Sequence, residues 1–149
     1  MALSIRERIL VAIKDALGTL TGVQVYRNQA FPTEADRAPI LVVRDGGQSN
    51  DESVGFGFAF YTLKVSIEGQ VWAASEAAMG PDANALYASA LAKLYADRIL
   101  GGLAVDLRET ELADLDLDRE SGNFIAGFLL TIDVWFQTRS SDPTALGPG

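Results

Sequence analysis

Apolar residues recur at two different spacings along this chain, and the two spacings separate its predicted helices from its predicted strands. Over residues 4–20 they recur every three or four positions, which places them on one stripe of a helix. Ser4 and Glu7 stand at the positions of a capping box, in which each side chain accepts a hydrogen bond from the other residue's backbone N–H. A second, alanine-rich helical stretch is predicted over residues 72–100, with an interruption at Gly80-Pro81, because proline suits the first turn of a new helix.

Alternating apolar and polar residues predict the strands of a sheet. The predicted strands are residues 23–27, 40–44, 58–68, 103–117 and 123–136. In the fourth of these, Leu103, Val105 and Leu107 are expected on one face. The last strand is apolar on both faces, which is typical of a central strand covered by helices on one side and partly covered on the other. The order helix, strands, helix, strands predicts an α+β fold, a mainly antiparallel sheet with two helices packed on one face.

A glycine-rich segment, residues 46–57, is predicted to form a projecting loop between two of these strands. Three aromatic residues, Phe56, Phe58 and Phe60, make the polar face of the following strand apolar where it begins. Two interpretations stay open. The cluster either extends the core or forms a projecting apolar hairpin that docks on a partner, which makes Phe56 and Phe58 candidate interface residues.

The polar C-terminal segment, residues 137–149, is predicted to be an extended arm that follows a single domain of residues 1–136. It lacks the periodicity of a core element. Trp135 stands just before this arm, and Arg139 and Asp142 lie within it. These three residues are further candidates for contact with a neighbouring subunit, although exposed charges of this kind are more often simply solvated.

Composition narrows the possible functions. The chain has 149 residues, 48% hydrophobic, enough for one domain with its own core. It contains no His and no Cys, which removes most routes to nucleophilic, redox or transition-metal chemistry, so we expect no enzyme activity and no cofactor. The net charge of −8 disfavours binding to duplex DNA but suits a conduit through which DNA slides. No apolar run approaches the ~20 residues that span a bilayer, and the N-terminus has no signal-peptide pattern, so no membrane partner is expected.

Three aspartates, Asp114, Asp116 and Asp118, begin like a calcium-binding loop. The pattern then fails, since Arg119 replaces the glycine of the sharp turn and Ile125 replaces the bidentate glutamate, so we predict no metal site. In an extended strand the three carboxylates would point to one side. That arrangement fits either a solvated face or a strand that lines a wet lumen.

Four features in this order resemble a known family: the N-terminal amphipathic helix, the segments G-V-Q-V-Y-R (22–27) and A-P-I-L-V-V (38–43), and a final strand that ends in W-F-Q-T-R-S-S-D-P (135–143). The chain resembles the tail terminator family of long-tailed bacteriophages and gene-transfer particles, also called minor tail or tail-completion proteins. The resemblance implies a hexameric ring that caps the head-proximal end of the tail tube, stops tube polymerisation and lets DNA pass through its centre.

The same resemblance implies the partners and the location. The partners would be other copies of the chain, the tail tube protein and the head–tail connector protein, and the location would be the tail or neck of a virion assembled in the host cytoplasm. The family carries no catalytic residues. Two alternatives remain: a head-completion or neck connector ring protein, and a soluble ligand-binding α+β domain.

Overall fold

The computed structural model describes residues 2–29, 38–51, 57–118 and 124–147, with Asp116, Leu117 and Asp118 described by their backbone alone. Phe56 and residues 52–55 of the predicted loop lie outside these ranges. The described helices and strands are α1 (Ile5–Leu17), β1 (Gln24–Arg27), β2 (Ile40–Asn50), β3 (Phe58–Ala73), α2 (Glu76–Tyr95), β4 (Asp106–Asp118), β5 (Phe124–Arg139) and β6 (Asp142–Leu146), with a 3-10 turn at Leu100–Gly102. The predicted α+β class is confirmed.

The strands form one mostly antiparallel sheet in the order β1-β2-β3-β5-β4, in which only β1 and β2 are described as parallel neighbours. β3 and β5 pair along their whole length, from Phe58 opposite Arg139 to Ala73 opposite Phe124. β5 is therefore central, as its two apolar faces predicted. Its other side pairs first with β4 and then with β6.

Both helices cover the same face of the sheet. Along β5 every second residue from Ala126 to Phe136 is buried, which confirms the predicted alternation. These residues share one core with the apolar stripes of α1 and α2. The helix side chains in that core are Ile5, Ile9, Leu10, Ile13, Leu17, Met79, Ala83, Leu86, Ala90 and Leu94. Burying a side chain of Leu or Ile size contributes about 1.5–3 kcal/mol, so this face holds the helices to the sheet.

The predicted interruption of the second helix at Gly80-Pro81 is wrong, because α2 is continuous through Pro81. Its start was also misplaced: Trp72 belongs to β3, and Ser75 caps the helix by accepting a hydrogen bond from the Ala78 N–H at 3.2 Å. Met79 and Ala83 lie on either side of Pro81, and both are buried against the sheet. Packing therefore keeps the helix together although proline lacks the N–H that would bond to the preceding turn.

At the start of α1, half of the predicted capping box is present. Ser4 Oγ accepts a hydrogen bond from the Glu7 N–H at 3.0 Å. The Glu7 carboxylate, however, accepts two hydrogen bonds from Arg27. Pairing with a guanidinium is the stronger option for a carboxylate, since charge-assisted bidentate contacts exceed a single bond to a neutral amide.

Two strand boundaries differ from those predicted. β2 continues to Asn50, so the first residues of the predicted glycine-rich loop are strand. β4 begins only at Asp106, after a turn in which Gly101 and Gly102 have positive φ angles of 69° and 98°. The predicted common face of Leu103, Val105 and Leu107 is consequently wrong: Leu107 is fully buried, whereas Val105 is 52% exposed.

The C-terminal segment is extended, but it pairs with the domain's own sheet. Residues 137–139 complete β5, and Thr138 is buried. After a turn at Ser140 and Ser141, β6 returns along β5. The strand expected to be last is thus followed by one more.

Candidate assembly surface on the outer edge of β5

The side of β5 that faces away from β3, here called the outer edge of β5, is shared by two strands. β4 occupies it up to Trp135, where the Val105 N–H donates to the Trp135 carbonyl at 2.7 Å. β6 occupies it beyond that point, where the Gly147 N–H donates to the Gln137 carbonyl at 3.2 Å. One sheet edge therefore carries two segments of different chemistry.

At the β6 segment the structure brings together three of the five predicted interface residues. Phe58 is the cross-strand partner of Arg139, and Arg139 is the partner of Asp142. Arg139 and Asp142 are exposed, and Phe58 is half-buried. Phe56, the fourth candidate, lies outside the described residues. These three side chains form a small mixed surface of one aromatic ring and two opposite charges.

Trp135, the fifth candidate, lies four residues earlier on β5 and on the same face as Arg139, the face opposite the helices. Its ring is half-buried and is covered by the Arg108 guanidinium, 5.1 Å from the ring centroid. Such a cation–π contact contributes about 0.5–1 kcal/mol at an exposed site. A partner that used this ring would first have to displace Arg108.

β6 packs against β5 and against α1, but it carries no core side chain. None of its five side chains is buried. The Asp142 carboxylate accepts hydrogen bonds from the Thr144 backbone N–H at 2.9 Å and from the Thr144 hydroxyl at 2.6 Å, and the hydroxyl contact first, then the N–H, lowers the pKa of Asp142. These bonds lie within β6 and do not attach it to the rest of the domain.

An open apolar groove lies beside β6 where it meets the start of β4. Ile99, Val105 and Leu146 line it, with exposed fractions of 49%, 52% and 39%. They make up half of the six large apolar side chains that are exposed among the described residues. Incompletely covered apolar side chains at a strand end are typical of a contact surface.

The other segment of this edge, β4, is acidic: it carries six carboxylates and a single arginine. Two of the carboxylates have structural partners. Asp106 pairs with Arg98 at 2.8 Å, which lowers the pKa of Asp106. Glu109 accepts a hydrogen bond from the Tyr87 hydroxyl at 2.5 Å, which raises the pKa of Tyr87 to about 12. Glu111 and Asp114 are exposed to solvent.

The three aspartates predicted to share a face are only partly described. Asp114 is opposite Phe128 and borders a shallow cavity of about 250 Å³ between β4 and the first turns of α2. Asp116 is opposite Ala126, and a register shift follows before Asp118. That shift interrupts the regular alternation on which the prediction of a common face rests. Among the described residues no group of three or more potential ligands is placed to hold a metal ion.

A cluster that sequence reasoning missed connects α1 to the sheet. The Arg27 guanidinium at the end of β1 contacts the Glu7 carboxylate at 2.5 Å and the Asp45 carboxylate at 2.8 Å. These hydrogen bonds lower the pKa of both carboxyl groups and raise that of Arg27. The sequence showed a basic residue at the end of a predicted strand and an acidic residue in the first turn of a predicted helix. It did not show that the fold would bring the two together.

Comparison with known proteins adds little to this geometry. No protein-family model and no curated protein matches the sequence. Among solved structures, the chain is similar to a chain of the virion of a native gene transfer agent particle, with 15% identity and a TM-score of 0.39 over 90% of this chain and 93% of the other. A TM-score below 0.5 leaves fold and function to be argued from this chain's own residues. Within the part of the chain that the structure describes, no helix is long and apolar enough to cross a membrane.

Proposed function

We propose that this chain is a non-catalytic structural subunit of a phage-type virion, a tail terminator. Copies of it would form a ring, expected to be a hexamer, at the head-proximal end of the tail tube. The observation that carries the proposal is the division of the outer edge of β5 into an acidic strand at one end and a short strand without buried side chains at the other. A ring around DNA needs both a surface that DNA does not stick to and a surface that joins its copies.

The acidic strand suits the first requirement. Glu111 and Asp114 are exposed, one on each face of the strand, and the whole chain has a net charge of −8. Carboxylates repel phosphates, so a passage lined by them lets DNA move without adhesion. We assign Asp114, with Asp116 and Asp118 on the same strand, to the lumen of the ring.

The β6 segment suits the second requirement. Twelve residue steps along β5 lead from Ala126, opposite Asp116, to Thr138, opposite Leu146. At 3.3 Å per residue this is about 40 Å. The two surfaces are therefore far enough apart for one to face the lumen while the other contacts a neighbour. In a ring each copy presents a surface and its complement, so the contact is head-to-tail.

The remaining partners follow from the role. The tail tube protein would contact one rim of the ring and the head–tail connector protein the other, and we assign Phe58, Arg139 and Asp142 to these or to the lateral contacts. DNA would pass through without sequence-specific binding. The tail or neck of the virion is the expected location.

The first experiment is negative-stain electron microscopy of the purified protein, with the mass of the same sample measured by light scattering. Six-fold rings with an open centre are the expected result. Binding of these rings to tail tubes and not to connectors would then separate a terminator from a neck connector protein. A monomer whose melting temperature rises with a small-molecule ligand would contradict the proposal and favour a ligand-binding domain.

A further inference from the structure

We propose that β6 is an exchangeable strand, which leaves its own subunit and pairs with the outer edge of β5, at residues 137–139, of an adjacent copy of this chain. This inference rests on the proposed ring and names the contact that joins its subunits. The recipient edge is already known to accept this strand, because β6 occupies it within one chain. Exchange re-forms the same contacts between copies, which makes it a low-cost route to assembly.

The turn before β6 does not favour the folded-back position. Since Arg139 and Asp142 are cross-strand partners, Ser140 and Ser141 form a two-residue hairpin turn. Two-residue turns that match the twist of the strands need a positive φ at the first or at both central residues. Neither serine has a positive φ. The turn therefore does not match the twist of the strands that it joins, and a short hinge of this kind is a known route to exchange between copies.

The pairing of β6 with its own β5 is correspondingly poor. After Arg139 and Asp142, the next pair joins Thr138 to Leu146, so one step along β5 corresponds to four along β6. Residues 143–145 fall in this irregularity. Pro143 has no N–H to donate, and the Thr144 N–H is used by the Asp142 carboxylate. Opening therefore breaks a ladder of only a few bonds, together with the contacts of β6 with α1, and exchange re-forms both on the neighbouring copy.

Opening the hinge removes one constraint on this register. In a hairpin the turn fixes the register of the two strands, whereas a strand that arrives from another copy is free of that restriction. Pro143 also biases Asp142 toward an extended backbone, which suits a straight connection between β5 and β6. Leu146, now 39% exposed beside Ile99 and Val105, can then bury more of its side chain in the groove of the neighbour.

A disulfide that locks β6 in place tests the exchange, and the absence of native cysteines makes the background clean. Thr138 and Leu146 are Cα partners in antiparallel strands, a spacing that a disulfide can bridge. The oxidised double variant Thr138→Cys/Leu146→Cys should remain monomeric by light scattering, and reduction should restore assembly. The single variant Leu146→Cys, treated with the same oxidant, should assemble in both states. An oxidised double variant that assembles as well as the reduced one, and whose disulfide lies within one chain as shown by a monomer band in a denaturing, non-reducing gel, overturns the exchange.

Because Thr138 is buried, a second variant covers the case in which the double variant does not fold. Ser140→Asn/Ser141→Gly introduces the Asn-Gly pair preferred in matched two-residue turns, which stabilises the folded-back hairpin. It should raise the concentration needed for half-assembly by about tenfold or more, a shift of about 1.4 kcal/mol per factor of ten. Unchanged or tighter assembly overturns the exchange.

The two proposals fail in different ways. Rings that form equally well with β6 locked overturn the exchange and leave the ring-forming role in place. A wild-type chain that stays monomeric at its highest attainable concentration overturns the exchange as well. The proposed function then depends on whether that monomer binds the end of a tail tube.

Discussion

The ring of Phe128 lies against Gly69, its antiparallel partner on β3, so closely that a Cβ added to Gly69 would be 2.2 Å from Phe128 Cε1. Phe128 is 2% exposed, and its ring meets the Tyr87 ring edge-on at a centroid distance of 6.0 Å. Tyr87 in turn donates to Glu109 of β4. Because Gly69 has no side chain, the Phe128 ring fits against β3 and contacts Tyr87 of α2, which in turn is hydrogen-bonded to β4.

Gly69→Ala should destabilise the fold by about 1–3 kcal/mol, because the added methyl forces Phe128 out of its position in a close-packed core. Urea unfolding followed by circular dichroism measures the change. The near-ultraviolet signal of Tyr87 should change too, since its ring contact depends on Phe128.

Gly80→Ala is the matched control for this substitution. Gly80 is exposed within α2, and an added Cβ meets nothing within 4 Å beyond its chain neighbours and the local helix backbone. The better helix propensity of alanine is opposed by the steric restriction that Pro81 places on the residue before it, so stability should change by no more than about 0.5 kcal/mol. If Gly69→Ala were as well tolerated as Gly80→Ala, the close contact with Phe128 would not be part of the native structure.

The cluster around Arg27 predicts a pH dependence of stability. The pKa values of Glu7 and Asp45 are held below their ordinary values of 4.5 and 3.8 by hydrogen bonds from Arg27. A carboxyl group with a lowered folded-state pKa stabilises the fold above its ordinary pKa, and this contribution disappears as the pH falls toward the folded-state value. Glu7→Gln should consequently cost about 1 kcal/mol at pH 7, a modest figure because the pair is partly exposed.

The difference between wild type and Glu7→Gln should shrink steadily once the pH drops below about 4. Urea titrations at a series of pH values measure it. Asp15→Asn, an exposed substitution on the same helix, should change stability by less than about 0.5 kcal/mol. A Glu7→Gln deficit that is constant from neutral to acidic pH would mean that the carboxylate charge does not stabilise α1 on the sheet.

The sequence was sufficient where local periodicity decides structure. The stripe of α1 and the alternation along β5 are each visible in the spacing of apolar residues, and both were confirmed. α2 was predicted to break at Pro81 because the propensity of proline is local, whereas the packing of Met79 and Ala83 that keeps the helix continuous depends on the sheet beneath it.

At the candidate site too, the sequence predicted individual residues but not the contacts between distant parts of the chain. Arg139 and Asp142 were identified individually, but their pairing with each other and with Phe58 depends on strand register, which the sequence does not state. β6 escaped prediction because Asp142-Pro143 is typical of a turn or an arm, and none of its side chains carries the burial pattern of a core strand.

Two C-terminal truncations of similar length should differ in how much they destabilise the fold. Removal of residues 142–149 takes away only β6 and the residues after it, so the melting temperature of the isolated subunit should fall by no more than a few degrees. Removal of residues 137–149 also takes the end of β5, including buried Thr138, and should cost several degrees more. Differential scanning calorimetry of the two monomers compares them. Equal losses would show that residues 137–139 do not contribute to the sheet.

Reversing charge on β4 should create DNA binding that the wild-type ring lacks. Glu111 and Asp114 are exposed on opposite faces of the acidic strand, since their partners on β5 are Thr131 and Phe128. Glu111→Lys/Asp114→Lys therefore makes both faces basic and changes the net charge by four units. Rings of this variant should retain linear duplex DNA in a filter-binding assay at low salt and release it as salt rises, because each phosphate contact adds to the salt dependence.

The control variant Asp15→Lys/Asp82→Lys changes the net charge equally at two exposed helix positions. Its rings should bind DNA at least about tenfold more weakly if β4 lines the lumen. Equal binding by the two variants would show that net charge alone matters and would remove β4 from the wall of the DNA passage.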